Sequence, residues 1–578
     1  MTNNQVTLKL DDCRRLTGKN LLSDHPGAII DSFVSGIDKD LVVDSWQKFT
    51  RVFLSLVGWE DQHIYHRIFE DGITLAISAP VDGLYSACEL IEESWAYTCE
   101  HLAEGSEYAK SFKNFMQSCE HLKAEIANEA NPLLLTLIEH ADQHNINYLI
   151  DDDEFSLGYG TYSQAWPIHQ LPQPNSINWQ RYKSIPVAYV TGTNGKSTSV
   201  RIISKMFSEA GYCAGSTSTD FIKVGNEILD YGDYSGPSGA RMLLRHPKTE
   251  IAILEVARGG ILRRGLPVDC VDSALITNVA EDHLGQYGIN NVTDLTQAKA
   301  VVAKALDTNP ALKAKTLSLN ADDENLIRVA KTLRAQLCWF SLDETNPVIV
   351  KHQQSGGAVC FVHNGALIYI NQAGVESNII AVNDIPMTLK GAAVHNIHNA
   401  LGAICLAKSL NIDDTAIRNA LRQFSSNIDD NPGRGNQFEV KGAHLILDYA
   451  HNAHSTLAMA TTLKNMPSKR KFLMLSHPGD RSDSEIINST NIALTMKPDF
   501  IVIADIAEYL RGREAGEVPK LIEKTATAAN MNEKNIFIVD TPYQGVKLIT
   551  DMLESDDLAL LMVLADRSKI IEHLRKKS

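Results

Sequence analysis

The run Thr191–Thr198 reads TGTNGKST and gathers two glycines, a lysine and adjacent hydroxyls into one short turn. That combination suits phosphate binding. Glycines let the backbone fold tightly enough for its N–H groups and the following helix N-terminus to face phosphate oxygens. Lys196 supplies a cation for the outer phosphates, and the hydroxyl of Ser197 or Thr198 is suited to Mg²⁺. The spacing departs from GxxxxGK[ST], because the residue six before Lys196 is Val190. Taken alone, the run also fits a glycine-rich turn with no ligand.

The flanking elements argue for the ligand. Val187–Val190 is an apolar strand candidate and Ser197–Ala210 a helix, so the run joins strand to helix. Further apolar runs at Ile251–Glu255 and Ala274–Asn278 predict a parallel α/β sheet. The helical run Thr415–Phe424 ends in the turn-rich Asn427–Gly435. A second alternating series follows, with strands near Leu445–Asp448, Phe472–Ser476, Phe500–Ala504 and Leu558–Leu564. Before the phosphate run, Ile73–Ser78 and Asn147–Ile150 read as strands, and Tyr85–Leu102 and Leu133–His140 as helices. Gly158–Ile185 has the composition of a connector. The expected organisation is a small α+β N-terminal domain (1–125), a connector (126–184), a central ATP-binding α/β domain with a P-loop-type parallel sheet (185–428) and a Rossmann-like C-terminal α/β domain (429–578).

A chain of 578 residues is too long for one core. Its net charge of −16 argues against a general nucleic-acid binder. Nine scattered cysteines form no CxxC pair, which favours reduced thiols over disulfides or structural zinc. The opening MTNNQVTLKLDDCRR lacks an apolar core of the kind signal peptides carry, and runs such as Leu558–Ala565 are too short to span a bilayer. The expectation is a cytoplasmic protein without membrane or nucleic-acid partners.

The shortened phosphate loop resembles that of the Mur ligases and folylpolyglutamate synthases, and further elements resemble the Mur ligases in the same order. ILEVARGG (Ile253–Gly260) ends a strand at Glu255, a carboxylate well placed beside the loop to hold Mg²⁺. TNVAEDHLG (Thr277–Gly285) carries Asn278 and His283; a lone histidine is usually structural, and the resemblance implies a metal-binding one. Lys299 corresponds to a lysine that many Mur ligases carbamylate as a metal ligand, the alternative being a plain helix-surface lysine. HNIHNAL (His395–Leu401) implies that Asn396 pairs with the adenine edge, while Asn399 fits a ligand or a helix cap equally. NPGRGN (Asn431–Asn436) and LDYAHN (Leu447–Asn452) imply Arg434 at ATP phosphate and Asp448 near the ribose. The implied nucleotide set is thus Gly192, Thr193, Asn194, Gly195, Lys196, Ser197, Thr198, Asn278, Asn396, Arg434 and Asp448, with Ser197, Glu255, His283 and Lys299 at metal and Lys196, Glu255, His283 and Lys299 in catalysis.

YGDYSGPSGAR (Tyr231–Arg241), LEVARGGILRRGL (Leu254–Leu266), AEDHLGQYGI (Ala280–Ile289), HPGDR (His477–Arg481) and YLRGREAGE (Tyr509–Glu517) resemble the C-terminal half of cyanophycin synthetases. RLTGKN (Arg15–Asn20) and FSLGYG (Phe155–Gly160) resemble segments flanking the ATP-grasp body of those enzymes, for which this chain has no room. The resemblance implies an ADP-forming ligase that makes an acyl phosphate on a carboxylate and joins it to an amino acid or amine. Ser235, Arg241, Arg258, Arg263 and Arg264 are candidates for the carboxyl substrate, each arginine fitting a structural salt bridge as well. Arg511, Arg513 and Glu514 are candidates for the incoming amino acid. The competing readings are a P-loop ATPase or kinase, a folylpolyglutamate-type ligase, and a catalytically silent or regulatory ATP-binding subunit that partners an ATP-grasp ligase. A homo-oligomer fits either ligase or subunit.

Overall fold

Three-quarters of the N-terminal sheet comes from segments with weak alternation in sequence. In the computed structural model, which describes residues 6–103, 107–306, 315–464 and 466–578, Thr7–Leu16, Gly27–Ser35, Gly72–Ser78 and Ile64–Phe69 form a four-stranded antiparallel sheet in that order. Met1–Gln5, part of the polar opening, lies outside the described residues. Helices Lys39–Leu56 and Leu84–Leu102 pack together and bury Trp46, Phe53, Trp95 and Tyr97 in the core of this sheet. The register of the first two strands shifts between Leu10 and Asp12, a bulge that re-aims the side chains of Asp12–Arg15.

Helix Phe115–Glu129 runs through residue 125, so the expected boundary there falls inside an element. The expected connector is also built structure. Tyr148–Ile150, Glu154–Leu157 and Gln164–Pro167 form a three-stranded sheet, with Leu137, Phe155, Leu157 and Tyr182 beneath it. Four residues ended by a proline are too short to show a period of two, so Gln164–Pro167 reads as coil in sequence. The left-handed Gly160 (φ 57°) lets this unit pack on the central sheet, where a Cβ would collide with the Thr249 carbonyl.

The central sheet has eleven strands. Its parallel core runs Ala214–Thr217, Ile251–Glu255, Val187–Thr191, Ser273–Ile276, Thr316–Asn320, Gln336–Ser341 and Ala358–His363, with antiparallel ribbons at both edges. These strands are largely buried because helices cover both faces. The phosphate-run strand lies between Ile251–Glu255 and Ser273–Ile276, so the C-terminal ends of three adjacent strands converge. The last sheet has six strands, five of them parallel, and its first parallel strand, Ala443–Asp448, ends in the DYAH segment. No helix among the described residues is long and apolar enough to cross a membrane.

Candidate active site

The strand Val187–Thr191 turns through Gly192 (φ 145°) and Gly195 (φ 83°) into the helix Lys196–Glu209. Side chains at the two glycines would collide with Thr277 Oγ1 and Asn399 Oδ1, which explains both. The first turn of that helix has N–H groups with no partner inside the helix, an arrangement suited to an anion. Neighbouring residues brace the loop. Thr193 N donates to the Asn278 carbonyl at 2.8 Å, and Thr277 Oγ1 donates to the Asn194 carbonyl at 2.6 Å. Asn278 spends its carboxamide the same way, accepting from Asn194 N and donating to Asn194 O, both at 3.0 Å. It therefore positions the loop as well as lining the cavity beside it.

Glu255 ends the strand next to the loop, paired in register with Val190. It is 1% exposed, and neither carboxylate oxygen completes a hydrogen bond. Burial pushes its pKa up, opposed by Lys196, the Ser197 hydroxyl, Arg434 and Arg201. An orphaned buried carboxylate beside a hydroxyl fits a hard divalent cation. Lys196 Nζ rests on the Thr193 carbonyl at 3.0 Å. Lys299 is buried and donates to the Gly192 carbonyl at 2.8 Å; burial, then Lys196, pull its pKa well down. As a bare amine it buttresses the loop.

Across the cavity, ligand atoms of Asp282, His283 and His451 lie within 4.8 Å of one another. His451 Nδ1 faces the Tyr449 carbonyl at 3.0 Å, which leaves Nε2 free to turn toward the cluster. Asp282 and His451 stand in the DHL-like and DYAH-like motifs but lie outside the set implied by the sequence, in which their neighbours His283 and Asp448 carry those motifs. Arg481 reaches Asp282 at 3.3 Å and ties the C-terminal sheet unit to the central one.

Two cavities meet at the loop. The smaller, about 370 Å³, lies between the start of helix Val394–Ser409 and the segment Asp448–Met459. Asn396 lines it, although its Nδ2 donates to the Met387 carbonyl at 2.9 Å and its Oδ1 accepts from Asn399 at 3.1 Å. Its amide edge is thus committed within the protein. Asp448 accepts from Gly435 N at 2.7 Å and is pushed up to about 6 by burial, against the pull of Arg434. Arg434 lines both cavities, with Nε buried and unpartnered.

The larger cavity, about 1230 Å³, is lined by Lys196, Glu255, His283 and Lys299 and by four of the expected substrate residues, Ser235, Arg258, Arg263 and Arg264. Arg241 faces elsewhere, toward Asp151 at 3.6 Å. Arg511, Arg513 and Glu514, the candidates for the incoming amino acid, line neither cavity. Arg513 is saturated by the Gly479 and Arg481 carbonyls, Asp483 and Glu517, and Arg511 pairs with Asp480. These residues brace the loop that carries Arg481; they stand behind the cavity rather than in it.

Residues 190–407 match the Mur ligase middle domain, and residues 433–562 match the Mur ligase, glutamate ligase domain. Cyanophycin synthetase of Geminocystis herdmanii is 36% identical over 356 residues, covering 62% of this chain and 40% of that protein. The Synechocystis cyanophycin synthetase is 35% identical over 395 residues, covering 68% and 44%. The chain thus spans about two-fifths of the length of these relatives. The UDP-N-acetylmuramoyl-L-alanyl-D-glutamate–2,6-diaminopimelate ligase of Listeria innocua is 22% identical over 390 residues, covering 66% and 73%. Among solved structures, E. coli FolC in complex with ADP is similar at a TM-score of 0.49 and 17% identity, over 68% of this chain and 90% of that one.

Proposed function

The chain belongs to the Mur ligase family, and from that premise we propose that it forms an acyl phosphate on a substrate carboxylate at the expense of ATP and then joins that carbonyl to an amino acid or amine. The observation that carries this reading is the phosphate loop opening on two sides. A small cavity suits a nucleoside, and a large, arginine-lined one suits a carboxylate acceptor. Lys196 and Arg434 stand where charge builds on the transferred phosphoryl group, and the loop N–H groups hold the other phosphates. Glu255 and the Ser197 hydroxyl would hold magnesium, which when bound would supply charge neutralisation for the polyphosphate. The substrate carboxylate oxygen bonds to the γ-phosphorus while the bond to ADP breaks. Arg258, Arg263 and Arg264 orient that carboxylate with guanidinium groups. The amine nitrogen then bonds to the carbonyl carbon, phosphate leaves, and the amine proton passes to a base. Closure of the C-terminal sheet unit through Arg481 and His451 keeps water from the acyl phosphate.

The test pairs carboxylates with amines in the presence of ATP and Mg²⁺, following ADP and phosphate release and the product by mass spectrometry. The expected result is ADP, phosphate and an amide from a matched pair. ADP without amide from every pair sinks the ligase reading. Nucleotide binding with no turnover at all points to the silent-subunit reading instead.

A further inference from the structure

The large cavity has a wall that neither Mur ligase domain match covers. The bulged segment Asp12–Arg15 and helix Leu84–Leu102 of the N-terminal sheet unit face the phosphate loop across it. Tyr85, Cys88 and Glu92 all line the cavity, and their spacing of three and four residues puts them on one helix face. This wall is fixed in place. Thr17 N donates to the Arg264 carbonyl and Leu266 N to the Lys19 carbonyl, each at 2.7 Å. Gly18 and Gly265 approach so closely that a Cβ on either would strike the other segment's backbone. Arg14 Nε adds a bond to the Leu262 carbonyl at 3.1 Å. The docking joins the N-terminal sheet unit to helix Arg258–Arg264, the helix that presents the substrate arginines.

Charges on the two walls are unequal in a way that selects a ligand. Arg14 is held by Asp31 at 2.7 Å and by Asp12. Arg15 forks onto Asp152 and stacks on the Tyr85 ring at 3.7 Å. Both guanidinium groups are spent. Glu89 and Glu93, beside Glu92 on its helix, face His121 and Lys110, whereas Glu92 forms no ion pair among the described residues and has the Cys13 thiol as a neighbour. Asp233, another cavity carboxylate, is engaged by Ser235. On the adjoining helix Arg258, Arg263 and Arg264 donate only to carbonyls and an amide, with no carboxylate partner among the described residues. One cavity therefore presents uncompensated cations on one wall and an uncompensated carboxylate on the other.

We propose that the N-terminal sheet unit is a working wall of the acceptor site and that Glu92 determines specificity there, receiving an ammonium or guanidinium group of a zwitterionic carboxyl substrate whose carboxylates lie on Arg263 and Arg264. This rests on the ligase reading only in assigning the large cavity to the carboxyl substrate. Opposite charges from two elements of one cavity fix the orientation of such a substrate and reject purely anionic ones, which would leave Glu92 unpaired. A purely anionic acceptor has no use for Glu92.

The experiment uses the full chain with Mg²⁺ and a non-hydrolysable ATP analogue. Two peptides, N-acetyl-Asp-Lys-Asp and the same peptide acetylated on the lysine amine, are titrated calorimetrically. The free-amine peptide is expected to bind wild type about tenfold more tightly. Glu92→Gln should erase that preference by weakening the free-amine peptide alone, and Glu92→Lys should reverse it, a gain that misfolding does not produce. Equal binding of both peptides to wild type, no binding of the free-amine peptide, or equal weakening of both by Glu92→Gln overturns the proposal. If a variant loses the ATP analogue through misfolding, wild-type discrimination still decides. The ligase reading stands or falls separately, on ADP and amide formation.

Discussion

The two cavities that meet at Asn194, Gly195 and Thr198 are built on opposite plans. On the nucleoside side the polar groups are bonded to one another: Asn396 to Asn399 and Met387, Asn278 to the loop, Asp448 to Gly435. On the acceptor side the cavity is more than three times larger, and Arg258, Arg263 and Arg264 in its lining have no carboxylate partners among the described residues. The first plan holds one ligand shape at little cost on binding, because its side chains are already ordered. The second leaves charge to be matched by whatever substrate enters.

The largest effect should come from the lysine of the loop at which the two cavities meet. Lys196→Ala is expected to lower kcat about 10³-fold, or about 4 kcal/mol, with every acceptor. Steady-state kinetics across several acceptors checks it. A loss that varies strongly with the acceptor would break the division drawn above, since Lys196 would then serve substrate recognition.

Next is the cation at the junction. Thermal unfolding with and without Mg²⁺ and a non-hydrolysable ATP analogue, at a hundredfold excess over Kd, should show about 2.7 kcal/mol of stabilisation in wild type. Glu255→Gln should keep less than half of it, because the buried carboxylate that offers two orphaned oxygens is gone. Full retention, or no loss when the metal is removed with chelator, counts against Glu255 as the holder of the cation.

What could be read from sequence follows the same division. Thr191–Thr198, Glu255, His283 and Arg434 are each set in short contiguous motifs at strand or helix ends, and the structure brings them round one loop. The apolar runs Val187–Val190, Ile251–Glu255 and Ala274–Asn278 were equally plain, whereas the parallel strands Ala214–Thr217 and Thr316–Asn320 carry Ser, Thr and Asn and do not read as apolar runs. Three things were not plain. The direction in which an amide or guanidinium spends its hydrogen bonds is a tertiary property, so Asn396 and Arg513 read as ligand-facing and prove internally bonded. The strand Gln164–Pro167 is too short to have a period. The N-terminal wall depends on Gly18 meeting Gly265, residues 247 positions apart, and no local pattern announces such a contact.

A pH experiment sharpens the nucleoside side. Asp448 titrates at about 6 in the fold, above its ordinary 3.8, because it is buried. The native state thus holds this proton more tightly than the unfolded chain. Its contribution to stability is full below about pH 4 and is lost as the pH rises through 6. Denaturant unfolding of wild type should accordingly fall relative to Asp448→Asn across that window, by on the order of 2 kcal/mol. Parallel profiles for the two proteins would mean that Asp448 is freely solvated and that this side is less tightly built than its hydrogen bonds indicate.

The smallest effect is the one that separates the two sides most cleanly. Arg264 donates to the Arg15 carbonyl and lines only the larger cavity. Its own carbonyl, which takes Thr17 N, is main chain and survives truncation of the side chain. Arg264→Ala should therefore keep the N-terminal wall docked while removing one cation from the acceptor side. The expected change is about a tenfold rise in KM for the carboxyl substrate, equivalent to about 1.4 kcal/mol, with kcat and the KM for ATP within twofold of wild type. Arg264→Lys should recover part of the loss, since it restores charge without the guanidinium fork. If the KM for ATP rises in step, the arginine is acting through the loop and the two cavities are one coupled site. If only kcat falls, Arg264 engages the carboxylate in the transition state alone, and recognition of the bound acceptor rests on Arg263 and Arg258.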